Sequence, residues 1–134
     1  MGPIQGIDLV TLVVEDIDEA IEFYVDTLGL ELYQDEAYGD GDRWVEVRPA
    51  GSRTKLVLKT PAQFDESEAR HHRELIGTTP MVTFRVDDCH RCYDALREAG
   101  VPFDSEPESR PWGTTAVARD PSGNPVVLTG DSRD

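Results

Sequence analysis

The chain repeats itself. Val10-Thr11-Leu12-Val13-Val14-Glu15-Asp16 returns as Val82-Thr83-Phe84-Arg85-Val86-Asp87-Asp88, a shift of 72 residues, and Pro49-Ala50-Gly51 returns as Pro121-Ser122-Gly123 at the same shift. Leu56-Val57-Leu58 then matches Val126-Val127-Leu128 once a two-residue loop difference is allowed. Three matches in order indicate an internal duplication, which constrains the fold more than any single motif: what one copy forms, the other must form again.

Each half reads the same way. Residues 7–14 alternate and are β-branched, which predicts a strand. Asp16 stands three residues before Glu19, the spacing of a capping box, and Ile17, Ala20, Ile21 and Tyr24 follow at helical intervals until Leu28-Gly29 closes the helix. Strands are predicted over 30–36, 43–48 and 54–59. The second half repeats the plan with a strand over 80–86, a helix over 88–99, and strands near 101–104, 114–119 and 125–129. Residues 61–79 read as a polar, loop-like linker with at most a short helical turn at 65–68. The unit is βαβββ, doubled, an α+β plan with modules over about 5–60 and 80–130 of a single domain of 134 residues. Neither sheet can cover both of its faces alone, so the modules are expected to pack together or to pair across a dimer.

Charge narrows the partners. With 27 acidic residues against 13 Lys and Arg, the net charge of −14 repels phosphate backbones and speaks against nucleic acid. No apolar run approaches the length of a membrane span, and two cysteines without an export signal suggest a cytoplasmic protein. A neutral or cationic small molecule is the expected partner.

Several segments together resemble the vicinal oxygen chelate superfamily, that of glyoxalase, bleomycin-resistance proteins and extradiol dioxygenases. They are Val14-Glu15-Asp16 through Phe23-Tyr24 and Leu28-Gly29, Val86-Asp87-Asp88 through Leu96 and Ala99-Gly100-Val101, Pro111-Trp112-Gly113, and Arg119-Asp120-Pro121-Ser122-Gly123-Asn124. The resemblance implies paired βαβββ modules, two curved mixed sheets with flanking helices, and commonly a homodimer. It also implies four metal-ligand positions, one on the first and one on the fourth strand of each module, usually His or Glu. Here those positions hold Leu9, Val57, Met81 and Val127. None of the four is a ligand for the divalent metals such enzymes use. By strand alternation Asp8, beside Leu9, turns away from the cleft. No metal and no other cofactor is expected.

Alternation places Leu9, Thr11 and Val13, then Trp44, Glu46 and Arg48, then Lys55, Val57 and Lys59 on the concave side. The second module is expected to add Met81, Thr83 and Arg85, then Ala116, Ala118, Val127 and Thr129. Apolar walls with a few polar groups suit an organic ligand. Trp44 offers a flat stacking surface and Glu46 a carboxylate to hold a cation against it. The competing reading has Trp44 filling the space of the missing metal, with Glu46 at a solvent rim. Trp112 is either a ligand contact, as similar Pro-Trp-Gly segments are in the bleomycin-resistance branch, or a loop anchor. Tyr38 could overhang the cleft from an acidic hairpin. The ligand-binding set is therefore Thr11, Tyr38, Trp44, Glu46, Val57, Met81, Thr83, Arg85, Trp112 and Val127.

Cys89 and Cys92 form a Cys-x-x-Cys, but they align with Ile17 and Ala20 of the first helix and so read as core residues. His71-His72 reads as solvated loop. With no nucleophile and base pair in view, no catalytic residue is assigned. Two functions remain: a metal-free protein that binds a small aromatic or cationic molecule, as in antibiotic sequestration of the bleomycin-resistance type, or a glyoxalase- or dioxygenase-like lyase or oxidoreductase.

Overall fold

A computed structural model describes residues 2–39, 42–78 and 80–131. The chain divides into two compact units, Met1–Glu74 and Leu75–Asp134. The first runs β1 (Leu9–Val13), α1 (Ile17–Ile21, continued by a wider turn Glu22–Thr27), β2 (Glu31–Tyr38), β3 (Asp42–Arg48) and β4 (Lys55–Lys59). Its sheet has the order β1-β4-β3-β2, with β1 parallel to β4 and the other pairs antiparallel. A helix, α2 (Glu66–Leu75), follows. The second unit repeats the order with β5 (Val82–Arg85), α3 (Cys89–Glu98), β6 (Glu108–Arg110), β7 (Gly113–Arg119) and β8 (Pro125–Gly130), arranged β5-β8-β7-β6. The duplicated βαβββ plan is thus two four-stranded mixed sheets with flanking helices. Among the described residues no helix is long and apolar enough to cross a membrane.

The same local chemistry starts both repeated helices. Asp16 accepts a hydrogen bond from the Glu19 N–H at 2.9 Å, and Asp88 accepts one from the Arg91 N–H at 3.0 Å. Each carboxylate satisfies an amide that the first helical turn leaves without a partner. The first helix then widens: the Leu28 N–H reaches the Phe23 carbonyl, five residues back, at 2.9 Å. Leu12, Val14, Val45, Val47, Leu56 and Leu58 are buried with Ala20, Phe23 and Tyr24 and form the core of the first unit. Ala116, Ala118, Val126 and Leu128 do the same in the second with Cys89, Leu96 and Val101.

Four expectations are corrected. The linker contains the ten-residue helix α2 rather than a turn. Its half-buried side is Ala69, His72 and Leu75, and with a histidine in the stripe and Glu and Arg elsewhere the apolar periodicity is too weak to read. His72 is accordingly not in a loop; its ring stacks on Phe64 at 3.8 Å. The strand expected near 101–104 is replaced by β6 at Glu108–Arg110, while Phe103 makes only a single bridge to Ala118. Pro102 has no N–H to give a ladder there. Ala116 and Ala118 pair with Leu128 and Val126 and share their buried face, so Thr115 and Val117 stand on the Val127 side instead.

Candidate functional site

In the first unit, register gathers the proposed residues on the face opposite the core. Thr11 pairs with Val57, Val57 with Glu46, and Glu46 with Gln34, so four side chains from four strands share one rung. Trp44 lies two residues from Glu46 on the same face of β3. Its indole N–H donates to Glu46 Oε2 at 2.6 Å. Glu46 is only 6% exposed, which excludes the solvent-rim reading of this carboxylate. Its other oxygen, Oε1, has no hydrogen-bond partner among the described residues. Val57, at the centre of the rung, is fully buried.

Sequence reasoning missed Gln34. A register shift between Leu32 and Gln34 resets the alternation of β2, and nothing in the local composition announces it. The same irregularity accompanies Tyr33, whose ring lies 4.1 Å from the Arg48 guanidinium and 5.5 Å from Lys55 Nζ.

The cations around this face are already engaged. Arg48 binds Glu31 at 2.9 Å and the Ser52 carbonyl at 3.0 Å. Arg43 is on the other side of β3, with Val45 and Val47, where it binds Asp35 through two bonds of 2.9 Å and Asp18 at 2.8 Å. Lys59 sits 4.4 Å from the Phe64 ring. Lys55 Nζ is 2.6 Å from Asp8, and that hydrogen bond raises its pKa above the usual lysine value, with the charge of Glu46 a smaller contribution. Asp8 precedes β1, so strand alternation does not govern it and its carboxylate reaches the neighbouring Lys55.

In the second unit Thr83 pairs with Val127, and Arg85 with Thr129. Thr83 and Arg85 are exposed and Val127 is half-buried. Met81, just before β5, and Trp112, in the turn between β6 and β7, are the most open large hydrophobic side chains among the described residues of this unit, at 63% and 71% exposure. The Tyr38 side chain lies outside the described residues. Cys89 is fully buried, and burial pushes the Cys92 thiol up, the opposite of what a reactive thiolate needs. The Asp120–Asn124 segment is a self-bonded turn: Asp120 Oδ1 accepts from the Ser122 and Asn124 N–H groups at 2.9 and 2.8 Å.

Residues 6–128 match the Glyoxalase/Bleomycin resistance protein/Dioxygenase superfamily. The chain belongs to this superfamily. Among solved structures it is similar to UcmS2, at 36% identity and a TM-score of 0.82 over 93% of this chain and 97% of that one. It is also similar to TnmS3, an antibiotic binding protein from Streptomyces sp. CB03234, at 32% identity and a TM-score of 0.78 over 98% of this chain and all of that one. A relative from Bacillus subtilis, the protein YetH, is 30% identical over 93% of this chain and 98% of its own length.

Superfamily enzymes use a divalent metal, and the side chains here do not fit one. The positions that the resemblance assigns to it hold Leu9, Val57, Met81 and Val127, hydrocarbon or thioether in every case. Among the described residues no three His, Cys, Asp or Glu side chains come together as a metal-holding group. Glu46 is the one buried carboxylate on the rung, and its neighbours Thr11, Val57 and Gln34 supply no second anionic or imidazole ligand.

Proposed function

We propose that the protein is a metal-free binder of small organic molecules, holding a planar, aromatic or weakly basic ligand against the face that carries Trp44 and Glu46. The observation behind this reading is the Trp44–Glu46 pair itself: an indole tethered by a 2.6 Å hydrogen bond, on a face whose former metal positions are apolar. A fixed ring loses little freedom when a ligand stacks on it, and apolar neighbours favour an organic body over an ion. Half-buried Thr11 borders this surface, next to the fully buried Val57 on the same rung. We extend the binding role to Tyr38 and, in the second unit, to Met81, Thr83, Arg85, Trp112 and Val127. The likeness to an antibiotic binding protein supports sequestration of a toxic compound as the biological use. The reading takes both modules as one functional domain, a homodimer as the working assembly, and the cytoplasm as its setting.

Tryptophan fluorescence tests the reading. A panel of glycopeptide, enediyne-like and anthracycline-like compounds should include at least one that quenches the wild-type emission saturably. Trp44→Ala and Trp112→Ala should each weaken that ligand. If both leave its affinity unchanged, the site lies elsewhere.

A further inference from the structure

The two sheets, copies of one plan, differ at the positions a ligand would meet. In the first unit Val57 pairs with Glu46, and Trp44 stands two residues earlier; in the second Val127 pairs with Val117, and Thr115 stands two residues earlier. On the first face Trp44 and Glu46 are bonded to each other and Val57 is fully buried. On the second, Val117 and Val127 are half-buried and Thr83 is exposed, so an apolar floor stays open. One rung along, Thr115, Thr129 and Arg85 stand side by side on that same face. Arg85 is exposed and has no hydrogen bond or ion pair with another described residue. Every other strand arginine or lysine has a partner: Arg43, Arg48, Lys55, Arg110 and Arg119 each bind a carboxylate, and Lys59 lies over the Phe64 ring. The repeat has Val13 at the position of Arg85, so this cation belongs to the second face alone.

We infer that the open face of the second sheet binds an aromatic carboxylate, with its ring on Val117 and Val127 and its acid group on Arg85 beside the Thr129 and Thr115 hydroxyls. The inference rests on the extension of ligand binding to the second unit and is independent of the Trp44–Glu46 face. Successive rungs of one face lie about 6.8 Å apart, the reach of a two-ring body with an acid group at its end. Half-buried valines still have apolar surface to lose to a ring, which the fully buried Val57 does not. A guanidinium offers parallel N–H donors that match a carboxylate, and a threonine hydroxyl can donate to either oxygen. On a chain of net charge −14 the long-range field repels an anion, so a preference for the acid has to come from a local cation. Arg85 is the strand cation that no described carboxylate occupies.

Two probes of one shape test this by isothermal titration calorimetry: 2-naphthoate carries the acid, and 2-naphthamide is its neutral counterpart. The wild-type chain should bind the acid about fivefold more tightly, the top of the range for a partly solvated ion pair. Arg85→Gln should bring the two affinities within about twofold. Arg97→Gln makes the same change of charge on α3 and should keep the wild-type ratio. Thr115→Trp with Val117→Glu copies the first unit's pair onto the second sheet and should weaken both probes at least about fivefold. The wild-type ratio requires no variant to fold, Arg85 is exposed, and melting temperatures check the double variant. Equal affinities on the wild type, or a preference that survives Arg85→Gln or is lost equally in Arg97→Gln, overturn the Arg85 assignment. If neither probe binds below about 5 mM, or the double variant changes neither, the second sheet carries no such site, and the Trp44–Glu46 reading is then decided by its own variants.

Discussion

Trp44 and Glu46, two residues apart on β3, are joined by a 2.6 Å hydrogen bond from indole Nε1 to carboxylate Oε2 on the face opposite the hydrophobic core. The bond fixes both side chains, and its loss leaves a buried carboxylate with one donor fewer. Trp44→Phe keeps an aromatic ring but removes the N–H, and should lower stability by about 1–3 kcal/mol, the cost of stranding a buried polar group. Adding Glu46→Leu removes the stranded partner and should recover most of the loss. Urea denaturation of the single and double variants reads both effects, and a double variant no better than the single would show that the bond is not what stabilises the pair.

The purified protein should hold no stoichiometric divalent metal at the superfamily position. Leu9, Val57, Met81 and Val127 offer no donor set, so a chelator should leave the melting temperature unchanged. Elemental analysis giving about one zinc, iron, nickel or manganese per chain would refute this.

Gly113 opens β7 with φ +147°, and a Cβ built there would collide with the Gly130 carbonyl oxygen across the β7–β8 pair. Both the backbone conformation and the close approach of the strands exclude a side chain. Gly113→Ala should destabilise by at least about 1–3 kcal/mol, visible as a lower denaturation midpoint. Gly2→Ala, where an added Cβ meets nothing, is the control.

Acid should weaken the fold in a way traceable to two pairs. The hydrogen-bonded Arg43 guanidinium holds the Asp35 carboxyl below its usual 3.8, and Arg119 does the same for Asp104. A lowered folded-state pKa means that the contribution is complete above the unfolded value and is lost as pH falls through the folded one. Stability should therefore be level near neutrality and decline below about pH 4. Asp35→Asn with Asp104→Asn should flatten part of that decline. Because both pairs are largely solvated, the change in slope should be small. An unchanged slope in the double variant would remove these pairs from the account.

Each four-stranded sheet ends on two edge strands, β1 and β2 in one unit and β5 and β6 in the other. Open edges invite further pairing unless they are covered, and symmetric association is the common remedy. Light scattering at micromolar concentration should give twice the 14.9 kDa chain mass. A monomer at that concentration would refute the homodimer.

The sequence alone determined the duplicated βαβββ plan, because local signals carry it: a 72-residue repeat, period-two strands, and a capping aspartate before each helix at Asp16 and Asp88. Once the resemblance assigns the metal positions to Leu9, Val57, Met81 and Val127, their hydrocarbon or thioether character needs no structure to read. It could not show α2, whose half-buried stripe includes His72, nor the displacement of the edge strand to Glu108–Arg110, where pairing partners and not propensity decide. The face of Ala116 and Ala118 was likewise set by register against Leu128 and Val126. Tertiary structure alone brought Gln34 onto the Glu46 rung, through an irregularity in β2, and buried Glu46 with one oxygen satisfied and one not. Those outcomes depend on which strands lie side by side and what they exclude from water, and no window along the chain contains either.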